Sequence, residues 1–269
     1  MSQEIIKTRI EGELAYIALN RPEKRNAVSG AMLEALPRAL AEVDRADVRA
    51  INLYGEGEVF SAGIDFKSLT ADTGAQSGAG GGPDLARFRH FVGESQAALN
   101  RLETIEKPVI GAIHGYAGGL GLEIALACDA RVVAKGTRMG MPEVRVGLVP
   151  DVGGTARLTR TVGYVRAKEL IMTARMIDAE EAERIGLANR VVEPGAYIRG
   201  AEELAREIAR NAPVAVGLAK RIIDRGHGLD KMTFMELEIL AQSSLLTTED
   251  FREGARALAE RRDPKFKGR

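Results

Sequence analysis

Residues 108–113, Pro-Val-Ile-Gly-Ala-Ile, run straight into His114-Gly115-Tyr116-Ala117-Gly118-Gly119-Leu120-Gly121-Leu122-Glu123. This junction constrains the fold more than any other stretch. A short apolar run behind a proline reads as a buried strand, and a glycine-rich turn opening into an apolar helix follows it. Strands alternating with helices over the first two-thirds of the chain indicate an α/β fold. The junction also carries chemistry. Backbone N–H groups at such a turn can stabilise a developing oxyanion. Glu123, Pro142-Glu143 and Pro150-Asp151 supply carboxyls that can divide the acid and base work of moving a proton or adding water. Together they point to chemistry beside a carbonyl group, with neither a metal nor a side-chain nucleophile.

A chain of 269 residues, 45% of them hydrophobic, is sized for one domain or for a core plus an appendage. Lys+Arg and Asp+Glu both number 38, which removes any overall pull toward nucleic acid or membrane. Cys128 is the single cysteine, excluding an intrachain disulfide framework and a multi-cysteine metal site. Within Ile124-Ala125-Leu126-Ala127-Cys128 it reads as a packed thiol. His90, His114 and His227 form no close pair, so no metal site is expected and each reads as structural. Met1-Ser2-Gln3-Glu4 has neither a charged n-region nor an apolar h-region, and no window approaches the ~18 apolar residues of a membrane span. A soluble, cytoplasmic protein without a nucleic-acid or membrane partner is the expectation.

Residues 13–19 and 48–54 read as strands, and 131–134 as a third after the junction. Asn20-Arg21-Pro22-Glu23-Lys24-Arg25-Asn26 is a loop with its backbone set by Pro22. Ser29 caps a helix to about residue 46, with a kink expected at Pro37. Residues 60–66 read as a loop, 70–84 as a mobile loop poor in large apolar side chains, and 85–103 as an amphipathic helix. Helices are expected at 194–211, 213–226, 230–246 and 248–262. The third carries apolar residues on more than one face, which suits either a subunit interface or a helix packed between two others. The division is therefore residues 1–193 as the core and 194–269 as a helical region.

Gly119-Leu120-Gly121 resembles a nucleotide fingerprint only partly, since Ile124 stands where the third glycine belongs. Close packing of strand against helix is its plainer reading. An oxyanion site needs a second donor, and Phe60-Ser61-Ala62-Gly63-Ile64-Asp65 offers one: Gly63 permits an unusual turn that exposes the Ile64 amide. Glu123 is either a first-turn acid on a solvated face or, given its apolar neighbours, a buried acid with a raised pKa. Glu143 is aimed by Pro142 or is an ordinary loop acid. Asp151 is either a third acid or the N-cap of a helix at Thr155. No Gly-x-Ser-x-Gly elbow occurs. The basic tail, residues 261–269, reads as a solvated terminus or a phosphate clamp.

Taken together these segments resemble the crotonase family, the enoyl-CoA hydratase/isomerase superfamily, over essentially the whole chain. The markers are Asn20-Arg21-Pro22 with Asn26-Ala27, Phe60-Ser61-Ala62-Gly63-Ile64-Asp65, residues 108–123, Cys128-Asp129, Pro142-Glu143, Gly147-Leu148 with Pro150 and Gly153-Gly154, and Phe266-Lys267. The resemblance implies a crotonase-like spiral of ββα units, with a C-terminal helical region that builds homotrimers, often paired into hexamers. It implies acyl-CoA as substrate, with coenzyme A part of that substrate and no separate cofactor. Carried over by position, the oxyanion hole is the Ile64 and Leu120 amides. The family usually has glycine at the second place, so the Leu120 side chain must point away from the substrate. CoA binding falls on Ala27, Ala62, Gly63, Ile64 and Asp65, with Lys24 and Lys67 as phosphate contacts suggested by charge.

The two family glutamates fall on Glu123 and Glu143, implying a 2-enoyl-CoA hydratase. Asp151 complicates this, because double-bond isomerases of the family place a proton-shuttling acid there and dienoyl-CoA isomerases have three acids. An isomerase is thus the alternative within the family. A non-catalytic acyl-CoA- or RNA-binding relative is the alternative outside enzymes. It fits poorly with two retained glutamates and a balanced charge.

Overall fold

The computed structural model describes residues 4–73 and 84–269, without the side chains of 71–73. The elements run in the order β1 (Ile6–Glu11), β2 (Leu14–Leu19), α1 (Gly30–Val43), β3 (Ala50–Gly55), α2 (Phe66–Thr73), α3 (Leu85–Thr104), β4 (Val109–Ile113), β5 (Tyr116–Gly118) and α4 (Leu120–Leu126). They continue with β6 (Ala130–Ala134), β7 (Arg138–Gly140), α5 (Gly154–Val162), α6 (Tyr164–Thr173), α7 (Ala179–Arg184), β8 (Arg190–Val192), α8 (Tyr197–Ala209), α9 (Pro213–Gly226), α10 (Lys231–Leu245) and α11 (Glu249–Glu260).

The main sheet has the strand order β1-β2-β3-β4-β6-β8. β1 pairs antiparallel with β2, and every later pair is parallel. Parallel strands covered on both faces read as unbroken apolar runs, and β2 and β4 are buried at every position. A second, two-stranded parallel sheet joins β5 to β7. It hangs off the junction that the glycines make, because the chain leaves β4 through Gly115 (φ 61), where a Cβ would meet the Glu58 carbonyl oxygen at 2.2 Å.

One face of the sheet packs under α1 and α3, with Met32, Leu36, Leu40, Leu99 and Leu102 in the core. The Ser29 hydroxyl accepts the Met32 N–H at 3.3 Å and starts α1. The helix continues through Pro37 to Val43, held by an apolar face on both sides of the proline. The other face is covered by α8, whose Ala201 and Ala205 pack against Leu14, Tyr16, Ile110 and Val132. The 193/194 division expected from the sequence thus falls just before a helix that packs on the sheet. Beyond α8, α9 packs against α10 and touches α3. The C-terminal tail folds back, with the Lys267 and Gly268 N–H groups donated to the buried Asp250 carboxylate at 2.6 and 2.8 Å.

The sequence reading missed β1, whose buried and exposed positions nearly alternate as expected of an edge strand. The loop expected at 70–84 begins as the end of α2, and Asp84 caps α3; residues 74–83 lie outside the described residues.

Asn26 fixes the loop between β2 and α1. Its side chain is fully buried, donates to the Glu56 and Val59 carbonyls at 2.8 and 2.9 Å, and accepts the Arg21 N–H at 2.9 Å. It sits at φ 52, a left-handed conformation that asparagine tolerates. This anchoring aligns Val28 with Ile64 in an isolated parallel bridge, which sets the first half of the site.

Candidate active site

α4 is buried along its whole length, so the Glu123 side chain, 2% exposed, cannot reach bulk water. It finds partners in the loop before α5. Its Oε1 accepts the Val152 N–H at 3.0 Å and the Gly154 N–H at 2.6 Å. Burial pushes the carboxyl up to about 7, the charges of Glu143 and Asp151 add to the rise, and the two N–H groups oppose it. The solvated first-turn reading is therefore set aside.

Glu143 opens a short 3-10 turn (Glu143–Val146) after β7, with Pro142 at its N-cap. Its carboxylate lies over Gly119: a Cβ there would meet Oε1 at 2.7 Å, and the residue's φ is +53. Its Oε2 is buried with no partner among the described residues. Burial raises its pKa, and Asp151 raises it further. Asp151 is also raised by burial. It does not cap α5, whose N-cap is Gly153, so the capping alternative fails. It lines the same cavity as the two glutamates.

The Ile64 and Leu120 amides complete the arrangement. Gly63, at φ 99, turns the chain so closely that a Cβ there would sit 2.7 Å from the Gly118 carbonyl oxygen and 3.8 Å from the Leu120 nitrogen. This brings the two segments side by side. Among the described residues neither amide N–H has an acceptor: Ile64 lies in the bridge facing away from Val28's bonds, and Leu120 is the first residue of α4. Ile64, Leu120, Glu123, Glu143 and Asp151 line one cavity of about 290 Å³. Its remaining wall is largely apolar, with Phe66, Phe88, Phe91, Val146, Leu148 and Val149. Wider hollows exist, such as one of about 770 Å³ between α1 and α3, but that groove lies apart from the free amides and the three acids.

The proposed CoA contacts are less united. Ala62 and Gly63 line the cavity with Ile64, whereas Ala27, Lys24, Asp65 and Lys67 do not. Asp65 is occupied by Arg21 at 2.9 Å, with Lys24 at 3.8 Å, and its carboxylate accepts the Ser68 N–H. Burial works against its charge, but the Arg21 and Ser68 hydrogen bonds hold it below the usual carboxylate range. Its carboxylate therefore ties the Arg21 segment to the start of α2. Lys24 and Lys67 are exposed near this loop.

His114 and Cys128 have structural places. The His114 ring stacks on Tyr197 with centroids 4.1 Å apart and hydrogen-bonds the Gly57 carbonyl at 3.0 Å. Burial pushes the Cys128 thiol up to about 12, so it is not a nucleophile at neutral pH.

Sequence reasoning missed the support behind Glu123. The Gln96 side chain on α3 donates to the Asp151 carbonyl at 2.6 Å. Arg157 donates to the Val152 carbonyl at 2.9 Å while held by Glu103 and Asn100. The cavity wall on α3, by contrast, was legible: the helix after the 70–84 loop is where the sequence places part of the pocket wall, and Phe88, Phe91 and Val92 supply it at helical spacing.

The profile of the family described as Enoyl-CoA hydratase/isomerase matches residues 9–269. A short-chain-enoyl-CoA hydratase from Clostridium acetobutylicum is 40% identical over 94% of this chain and 93% of its own. A mitochondrial methylglutaconyl-CoA hydratase from Rattus norvegicus is 35% identical over 95% of this chain and 79% of its own. The crystal structure of an enoyl-CoA hydratase from Bacillus anthracis superposes with a TM-score of 0.90 at 36% identity, over 99% of this chain and 100% of that one. The chain belongs to the enoyl-CoA hydratase/isomerase family.

Proposed function

We propose that the protein is an enoyl-CoA hydratase that adds water across the 2,3 double bond of a 2-enoyl-CoA thioester. The observation that carries this is the convergence of three acids of raised pKa and two unpaired amide N–H groups on one largely apolar cavity. The thioester oxygen accepts the Ile64 and Leu120 N–H groups, which stabilise the enolate-like charge as it develops. Burial and the charges of Glu143 and Asp151 push Glu123 up to about 7, so near neutral pH Glu123 serves as the protonated acid and Glu143 as the ionised carboxylate. The ionised carboxylate takes a proton from water as the hydroxyl oxygen bonds to the β-carbon. The protonated one gives its proton to the α-carbon, and the enolate collapses back to the thioester. The reaction balances with no cofactor beyond the CoA carried by the substrate.

On the same footing, Ala62, Gly63 and Ile64 bind the thioester end of CoA, and Ala27, Asp65, Lys24 and Lys67 lie beside its path. A homotrimer or a hexamer of paired trimers belongs to this reading, with residues 194–269 as the region that builds it. So does a cytoplasmic location, testable by fractionation. Among the described residues, no helix is long and apolar enough to cross a membrane.

Asp151 on the cavity wall favours a second reading, migration of an enoyl-CoA or dienoyl-CoA double bond with Asp151 as proton shuttle. Incubation with a 2-enoyl-CoA and with a 3-enoyl-CoA separates the two. Loss of the conjugated ultraviolet absorbance on hydration, abolished in Glu123→Gln, supports the hydratase. Bond migration that survives Glu123→Gln and disappears in Asp151→Asn supports the isomerase. CoA binding without turnover on either substrate would mark a non-catalytic relative.

A further inference from the structure

We propose that Gln96 is a positioning residue that sets the proton affinity of Glu123 through the Asp151–Val152 peptide. The Gln96 Nε2 donates to the Asp151 carbonyl oxygen at 2.6 Å, and the N–H at the other end of that peptide is donated to Glu123 Oε1 at 3.0 Å. A carbonyl that accepts a hydrogen bond makes the N–H of its own peptide a stronger donor, so the chain from Gln96 to Glu123 is cooperative. The second donor to Glu123 is built the same way. Its peptide joins Gly153 to Gly154, and the Gly153 carbonyl accepts the Arg157 N–H at 2.8 Å.

The other loop carbonyls are also held. Pro150 accepts the Thr155 hydroxyl at 2.9 Å, and Val152 accepts the Arg157 guanidinium at 2.9 Å. Thr155 and Arg157 both belong to α5, which continues directly from the loop. Gln96 comes instead from α3, whose Phe88, Phe91 and Val92 wall the cavity. One side chain therefore links the helix that shapes the substrate pocket to the peptide that tunes the acid. The charged groups facing Glu123 are Glu143 from the turn after β7 and Asp151 from the loop itself, with Arg157 of α5 behind the loop and committed to Glu103. Gln96 adds a neutral, adjustable contribution to that set.

The inference rests on the acid role given to Glu123 above, and the test reads Glu123 both with and without turnover. Gln96→Met keeps the side-chain length at an exposed site and removes the donor. Gln96→Lys keeps a donor. The titration of Glu123 is followed by its side-chain carboxyl carbon resonance, and the alkaline limb of kcat/KM is measured in parallel. In Gln96→Met the midpoint rises by about 0.5 pH unit, roughly threefold in proton affinity, and the alkaline limb moves with it. In Gln96→Lys it stays at or below the wild-type position. An unmoved midpoint in Gln96→Met overturns the proposal. A lower kcat with an unmoved limb overturns it as well, since Gln96 then only braces the loop. If the resonance shifts in a protein that hydrates nothing, the coupling stands and the functional reading falls.

Discussion

Glu123 and Gly154 are in such close contact that the glycine's missing side chain is part of the acid's seat. The Gly154 N–H reaches Oε1 at 2.6 Å, and a Cβ on Gly154 would meet the same oxygen at 2.6 Å and the Glu123 Cγ at 2.8 Å. The obstacle is the acid itself, rooted in a buried helix and free to give way only toward the cavity. Gly154→Ala therefore displaces the Glu123 carboxylate. We expect hydration to fall by about 100-fold, the scale of an ångström-sized misplacement, with the far-ultraviolet circular dichroism unchanged. Wild-type kcat in Gly154→Ala would show that the seat is not needed.

The raised pKa of Glu123 has a consequence for stability. Its folded pKa is about 7, above the ordinary 4.5. The folded state therefore favours the protonated acid. This contribution is fully present below about pH 4.5 and is lost as pH rises through about 7. Glu123→Gln removes the ionisation. The variant should lack hydratase activity yet be more stable than wild type at pH 8, by on the order of 3 kcal/mol for a shift of this size. The difference should vanish toward pH 4.5. Denaturant melts at the two pH values check this; equal stabilities at pH 8 would mean the acid is not held in its protonated form by the fold.

The oxyanion hole can be tested at the backbone. Leu120 is the first residue of α4, a position where proline is tolerated because its N–H has no intrahelical acceptor. Leu120→Pro removes that donor and keeps the helix start. Loss of one such donor typically costs ~2.7–4 kcal/mol of barrier, about 100- to 1,000-fold in kcat. Binding of the saturated acyl-CoA should change far less, because the charge that the donor stabilises is absent there. A kcat within a few-fold of wild type would place the thioester oxygen elsewhere.

What the sequence made legible was local. The strand, the glycine turn and Glu123 are contiguous, so Gly119, Leu120 and Glu123 keep their geometry wherever the segment is put. Gly63 makes the unusual turn expected of it, at φ 99, and Ser29 starts its helix as a cap. The rest depended on tertiary packing. The |i−j| separations are 29 and 31 for the two hydrogen bonds that seat Glu123, and 55 for the bond from Gln96. Nothing in the local pattern of Gln96 distinguishes it from any exposed helix residue. β1 was missed because its outward positions are polar, which weakens the apolar signal of a strand at a sheet edge. Asp65 was placed in its loop by a motif, but the partner that holds its carboxylate, Arg21, lies 44 residues away in the sequence.

The C-terminal helices present apolar side chains that the described residues leave uncovered. On α10, Met232, Ile239 and Leu240 are each about two-thirds exposed, and α10 has no buried residue. Exposed apolar surface of this extent on a single helix marks an interaction site, and the proposed trimer supplies a neighbouring copy of the chain to cover it. Ile239→Glu with Leu240→Lys places charges where a closed interface would exclude water, and a desolvated unpaired charge is costly. Light scattering of the purified wild type should give a mass three or six times that of one chain, and the double variant should fall to a smaller species. Since the two residues lie outside the cavity, any loss of hydration would then report dependence of the site on assembly. A double variant that keeps the wild-type mass would remove α10 from the interface.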